Sequence, residues 1–437
     1  MNKGLSLWER AKEIIPGGNG LLSKRPERFL PDLWPTYYDS AKGINVKALD
    51  GETYQDFAQM SIGCGLVGYG NDIVNQRVLE AIRCGVSTTL NCPEEVELGE
   101  RLLQLTLPTG MVRFARTGGE AMAVAIRLAR AAVSNEIVAF SGYHGWSDWY
   151  LSANLQRGDN LDGHLLPGLI PRGVPRSLSG TVIPFKYNDL DDLTDLLDSN
   201  PDCKIVVVEG ARFDCLTNEF IAGLNELKQR LDLIVISDEI TSGFRACPGS
   251  IAVKMGLEAD LLVFGKAIGG GFALSCVVGA KDLMLDTRDT FISSSMWTER
   301  VGFCAGLGVL DVISDSNFYP TLLNAAKQIL DGWERCAKNA GLKLTFGNFL
   351  PLASFRWSDV EDSDAMTTFF IQEMLARGYL ASTSVYVSGC HEPEMVHNYV
   401  ENVQDVFTML NQHIETGTLK ASLRTRTRSD SFGRIVK

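Results

Sequence analysis

Lys266 lies in the segment "GKAIGGGFAL" (265–274), after the apolar run "LLVF" and ahead of three glycines. A primary amine condenses with an aldehyde to an imine, and glycines beside it allow backbone conformations that other residues resist and a close approach by a bulky ligand. Asp238 follows another apolar run, "LIVIS" (233–237), and is itself followed by "EITSGFR". A carboxylate buried at such a place is costly unless it meets a cation or a donor. A lysine and an acid at neighbouring strand ends suit an aldehyde cofactor with a protonated ring nitrogen, the chemistry of pyridoxal 5′-phosphate (PLP). A plain Asp–Lys ion pair at the edge of a sheet accounts for the same two residues.

A phosphate cradle separates these readings. In "ARTGGEAMAVAIRLARA" (115–131), Thr117, Gly118 and Gly119 stand directly ahead of a run of strong helix formers. Free backbone N–H groups and the positive end of the helix dipole favour a dianionic phosphate there, although a plain helix cap has the same appearance. The segment "SGYHGWSDWY" (141–150) follows the apolar run "EIVAF". Its Tyr143 could lie flat on an aromatic cofactor. His144 would touch the ring or substrate, or satisfy a backbone carbonyl.

The elements that must position these groups are legible from pattern. Apolar runs at 136–140, 204–209, 233–237, 261–264 and 276–280 read as strands. Between two of them "NEFIAGLNELKQRL" carries Phe220, Leu224, Leu227 and Leu231 at helical spacing. Continuous apolar strands alternating with amphipathic helices imply an α/β fold with a mostly parallel sheet covered on both faces, where ligands collect at the carboxyl ends of the strands. The ends read differently: an N-terminal amphipathic helix stopped by Pro-Gly-Gly, a hairpin around Asp50-Gly51 within 44–57, and a short strand "LASFRW" with two helical segments within 352–410. The expected layout is a large cofactor-binding domain over 61–310 and a smaller α+β domain built from 1–60 and 311–437.

Taken in order, TGGEA, YHGW, DEITSGFR and GKAIGGG resemble the class III (fold type I) PLP-dependent aminotransferases, most closely the branch containing glutamate-1-semialdehyde aminomutase. The likeness covers most of the chain from "IIPGG" onward. It implies that Lys266 forms the Schiff base with PLP, that Asp238 pairs with the pyridine nitrogen, that Gly118 and Gly119 belong to the phosphate loop, and that Tyr143 is the tyrosine of the YHG segment. In "SSSMWTERVG" (293–302), it places Ser295 where a hydroxyl reaches the phosphate of the neighbouring subunit's cofactor, so a homodimer with shared sites is expected. It also puts Arg25 near the position of a substrate-carboxylate arginine, with Arg28 as competitor.

The chain departs from the family in "EGARFD" (209–214), which stands where the aminomutase has E-P-V-A-G-N. Glu209 and Arg212 thus become cofactor-side candidates. Arg212 would replace the asparagine that meets the cofactor's phenolic oxygen, bind an acidic substrate, or form an exposed salt bridge. The stretches "LSKRPERFLPDLWPTYY" and "MWTER" resemble a subgroup associated with sugar or surface-polysaccharide pathways. The activity implied is amino transfer between an amino donor and a small carbonyl acceptor (a keto acid, an aldehyde or a sugar-like compound). An intramolecular aminomutase is the alternative, and a non-catalytic PLP-fold binding protein a third reading.

Composition sets outer bounds. The chain has 437 residues, 45% hydrophobic and 22% charged, with a net charge of −12, which argues against a general nucleic-acid or anionic-membrane binder. The basic tail "SLRTRTRSDSFGRIVK" reads as a solvated end, and no apolar stretch is long enough to span a membrane. Ten cysteines without a CxxC pair or a Cys/His cluster fit a reducing cytosol and support neither metal nor disulfide. "GCGLVG" (63–68) satisfies the dinucleotide pattern G-x-G-x-x-G, but a poor strand precedes it and residues 81–93 hold no acid.

Overall fold

The computed structural model describes residues 3–163 and 167–429. The chain divides into two compact units: residues up to Asn71 together with those from Asp315 onward, and Asp72–Ser314.

The unit Asp72–Ser314 is built on a seven-stranded sheet in the order Met111–Ala115, Ser275–Gly279, Leu261–Phe264, Ile234–Asp238, Ile205–Glu209, Val138–Ser141, Val182–Pro184. The strands from Leu261–Phe264 to Val182–Pro184 run parallel, and Ser275–Gly279 is antiparallel to both of its neighbours. The mostly parallel sheet expected from the apolar runs is therefore present. Side-chain alternation gives the sheet two apolar faces. On one, Phe140, Val207, Ile236 and Val263 pack with Met122, Ala125 and Leu128 of the helix Gly118–Val133. On the other, Ala139, Val206, Val208 and Val235 pack with Phe220, Ile221, Leu224 and Leu227 of the helix Asn218–Leu231. Each fully buried Val, Leu, Ile or Phe contributes about 1.5–3 kcal/mol. Two-sided burial fixes where the strand ends lie.

The other unit contains the helix Lys3–Ile14 followed by Pro16, Gly17 and Gly18, and the hairpin Asn45–Ala48 with Thr53–Phe57. The hairpin turns where the Gly51 N–H donates to the Ala48 carbonyl, with Gly51 at φ +100°. Tyr379–Ala381 adds in parallel to Thr53–Phe57, so distant parts of the chain share one sheet. Leu352–Trp357 pairs with Leu344–Phe346 and Ser384–Tyr386. The long helices Phe318–Ala340 and Pro393–Glu415 pack through Gly332, whose missing side chain leaves room for Val400, and the Trp333 indole donates to the Tyr399 hydroxyl at 3.2 Å.

The described part of the basic tail lies at the surface, as expected of a solvated end, and its arginines are also tied down by carboxylates. Arg424 pairs with Glu373 at 3.1 Å, Arg426 with Asp32 at 2.8 Å and Arg428 with Asp364 at 3.1 Å. Backbone bonds from Arg424 to Gln372, Arg426 to Asp32 and Arg428 to Thr368 hold the strap in register. The hydrogen bonds and charge of Arg426 hold the Asp32 carboxyl at about 2. Alternating Arg and Thr over 424–428 put Arg424, Arg426 and Arg428 each within reach of a carboxylate. The remainder of the tail, 430–437, lies outside the described residues.

Candidate active site

Three parallel strands end side by side at one edge of the large sheet. Glu209 is the register partner of Asp238, and Asp238 that of Val263, which puts Lys266 just past the neighbouring strand end. Burial of apolar side chains drives the strands inward and carries these polar residues with them: Glu209 is 4% exposed and Asp238 3%.

Asp238 is held from two sides. Its Oδ1 accepts from the Ile240 backbone N–H at 3.0 Å, and its Oδ2 faces His144 Nδ1 at 2.8 Å. The other ring nitrogen of His144 donates to the Ser141 carbonyl at 3.2 Å. His144 is buried and both of its nitrogens are engaged, so it stands behind Asp238. The next residue, Glu239, is fully buried and turns the other way, accepting from Ser237, Ser242, Ser250 and the Ala252 N–H; burial raises its pKa against the pull of these donors.

Glu209 organises the opposite flank. Its Oε1 lies 2.6 Å from Arg212 Nη2 and its Oε2 accepts from the Tyr143 backbone N–H at 3.2 Å. Burial pushes this carboxyl up, but the charge and hydrogen bond of Arg212 outweigh it, and the net effect is a lowered pKa. Gly142 permits the approach: it sits at φ +110°, and a Cβ there would lie 2.5 Å from Glu209 Cβ. The Arg212 guanidinium lies 5.5 Å from the centre of the Tyr143 ring, a cation–π contact, and burial raises the pKa of the Tyr143 phenol. The Glu209–Arg212 bridge is thus largely enclosed, unlike the exposed salt bridge that the sequence left open.

Thr241 links this flank to the lysine. Its hydroxyl oxygen accepts from Arg212 Nη2 at 3.1 Å and from Lys266 Nζ at 2.9 Å. Lys266 itself sits in the left-handed region at φ +46°, a conformation that costs a non-glycine residue about 1–3 kcal/mol. Of the glycines that follow, Gly270 and Gly271 take positive φ; a Cβ on Gly270 would lie 2.7 Å from Val309. Gly269 does not need the freedom expected of it.

Gly118 and Gly119 open the helix Gly118–Val133 beneath a capping box: the Thr117 hydroxyl accepts from the Glu120 N–H and the Glu120 carboxylate from the Thr117 N–H. The two glycines form a cradle that side chains would fill. A Cβ on Gly118 would lie 2.7 Å from Ile240 and one on Gly119 3.2 Å from the Trp146 indole nitrogen. Ser295 begins the short turn Ser295–Thr298 and is exposed. Its neighbours join that turn to the helix start: the Met296 carbonyl accepts from Arg116, and the Trp297 indole donates to Glu120 at 3.4 Å. Arg25 belongs to the other unit, between two short turns, with its guanidinium against Gly17.

The structure thus links Arg212, Glu209 and Tyr143 through direct contacts and Lys266 to Arg212 through the Thr241 hydroxyl, and Ile240 connects Asp238 to the Gly118 cradle. Sequence reasoning missed Thr241 and Ile240. Both lie within "DEITSGFR", directly after the acid that was singled out.

The family model for class-III aminotransferases matches residues 32–343. The 3-aminobutyryl-CoA aminotransferase of Cloacimonas acidaminovorans is 27% identical over 365 residues, covering 81% of this chain and 84% of that protein. Among solved structures, the FumI protein of Sphingopyxis sp. MTA144, in its PLP internal aldimine form, superposes with a TM-score of 0.85 at 22% identity, covering 97% of this chain and 99% of that one. A glutamate-1-semialdehyde aminomutase from Pseudomonas aeruginosa gives a TM-score of 0.79 at 18% identity, covering 93% and 94%. The fold is that of the fold type I PLP transferases, as the motif order implied. With a family match over well more than half of its length, the chain belongs to the class-III aminotransferases, enzymes that transfer amino groups with PLP.

Proposed function

We propose that the chain is an aminotransferase that takes an amino group from a donor to a small carbonyl acceptor, with Lys266 as the residue that carries and releases the cofactor. The observation that carries this reading is the convergence of an amine, a buried acid, an aromatic ring and a glycine-opened helix start at one sheet edge. PLP, when bound, supplies an aldehyde that condenses with amines and a ring that accepts the electron pair released at the carbon bearing the amine.

The residues present suit that group. Gly118 and Gly119 leave room and N–H groups at the positive end of a sixteen-residue helix, where a phosphate is favoured. Asp238, fixed by His144 and the Ile240 N–H, would hold a proton on the ring nitrogen. The enclosed position of His144 supports a positioning role and not contact with substrate. Tyr143 and Ile240 would cover the ring, and Arg212 would meet its phenolic oxygen while Glu209 steadies Arg212 and the Tyr143 backbone. Lys266 Nζ, once freed, would accept a proton from the substrate carbon and return it to the cofactor side.

Exposed Leu79, Ile82, Leu90, Val96 and Met296 support a homodimer in which Ser295 of one subunit serves the other's phosphate. Ten cysteines without a disulfide support a reducing, cytoplasmic setting, and among the described residues no helix is long and apolar enough to cross a membrane.

A donor screen tests the reading. Amino transfer predicts that a single donor, without acceptor, changes the cofactor's absorbance and releases one equivalent of its oxo product. Retention of that product with appearance of an amino-shifted isomer would favour the aminomutase. No response to any donor would favour a binding protein.

A further inference from the structure

Two cationic side chains share one hydroxyl in this site. Arg212 Nη2 and Lys266 Nζ donate to the same Thr241 oxygen at 3.1 and 2.9 Å, which keeps the two nitrogens within about 6 Å of each other. Such a distance costs a second positive charge, because a like charge at about 4–6 Å disfavours the charged form. We infer that Arg212, positioned by Glu209 and coupled through Thr241, lowers the basicity of the Lys266 amine and so sets the pH range in which that lysine works. This rests on the reading of Lys266 as the cofactor-bearing residue, and Arg212 acts here as a positioning and charge-setting residue.

The other charged groups around the site must be weighed. Glu209 opposes the effect but is bonded to Arg212 itself, so the guanidinium stands between it and Thr241. Asp238 is engaged by His144. Glu239 faces its own serine cradle. The Tyr143 phenol keeps its proton more firmly because of burial. Fully buried Arg245 donates its Nε to the Thr241 backbone carbonyl at 2.7 Å, not to the hydroxyl that Lys266 shares with Arg212. The sign of a substitution follows from the shared hydroxyl: removing Arg212 takes away the cation that meets Lys266 at Thr241 and so raises the Lys266 pKa, while the buried Glu209 loses the partner that keeps its own pKa low and is not counted as an added negative charge.

The test uses the full chain, freed of cofactor, and reads the rate of trace acetylation of Lys266 against pH by peptide mass spectrometry. Arg212→Met should raise the apparent pKa by about one unit, within the range for a like charge at this distance, cutting the reactive fraction about tenfold at neutral pH. Arg212→Lys should restore most of the wild-type profile, which loss of packing alone would not explain. Glu209→Gln should move the profile the opposite way. The same order should appear in the pH titration of cofactor absorbance in the loaded enzyme. A folded Arg212→Met protein with an unchanged or lowered Lys266 pKa overturns the inference. Should that variant fail to fold, an unshifted or raised profile in Glu209→Gln overturns it instead. Reduction of the loaded enzyme that fixes PLP on a different lysine would sink the Lys266 assignment while leaving the acetylation profiles readable, so the two failures are told apart.

Discussion

Asp238 gives the residue scale its clearest consequence. Its two oxygens are committed to the Ile240 N–H and to His144, and that geometry needs no cofactor to hold it. Asp238→Ala should therefore keep bound PLP, seen by absorbance, while turnover falls by at least about a hundredfold, because no acid remains to keep a proton on the ring nitrogen. Near-wild-type turnover at neutral pH would contradict that role. His391 supplies a separate pH argument. Burial lowers its pKa from 6.5 to about 4, and it is held neutral by accepting from the Ser388 N–H at 2.9 Å and donating to the Asp56 carbonyl at 3.0 Å. The unfolded chain binds the extra proton first, so this group's stabilisation is intact above about pH 6.5 and is lost as pH falls toward 4. The expected loss is about 3 kcal/mol. Denaturant unfolding at a series of pH values should show a shallower acid decline in His391→Gln than in wild type.

At the scale of elements, the capping box at Thr117 fixes where the Gly118–Val133 helix begins, and with it the cradle. Thr117→Ala should cost about 0.5–2 kcal/mol in denaturant unfolding and weaken PLP retention together. Loss of one without the other would separate the cap from the cradle. The buried central strands were legible in the sequence because both faces are covered and each carries a run of apolar side chains, with the polar residues at its end. Met111–Ala115 and Val182–Pro184 were not: they are the two edge strands, one interrupted by Arg113 and the other only three residues long and ending in proline. An edge strand has less to bury, so its pattern is weaker. The same limit hid Thr241. Its partners Arg212 and Lys266 lie 29 and 25 residues away, and only the parallel register brings them to one oxygen. Lys266 and Asp238 could be found because each ends an apolar run.

The whole molecule raises the question of one site shared by two chains. Ser295 is exposed in this chain, in a turn tied to the Gly118–Val133 helix start through Arg116 and Trp297. If it serves a partner's phosphate, Lys266→Ala subunits mixed with Ser295→Glu subunits should regain activity. Random pairing makes half of the dimers mixed, each with one intact site of two, so recovery should approach about a quarter of wild type. No recovery despite proven mixed dimers would mean that both residues serve the same chain's site.

The claim on which the rest depends is that Lys266 bears the cofactor. Borohydride reduction of the PLP-loaded enzyme, followed by digestion and peptide mass spectrometry, tests it most directly. The cofactor should be fixed on the peptide containing Lys266 and absent from the same peptide in Lys266→Ala. Stable labelling of any other lysine in the wild-type protein would contradict the account.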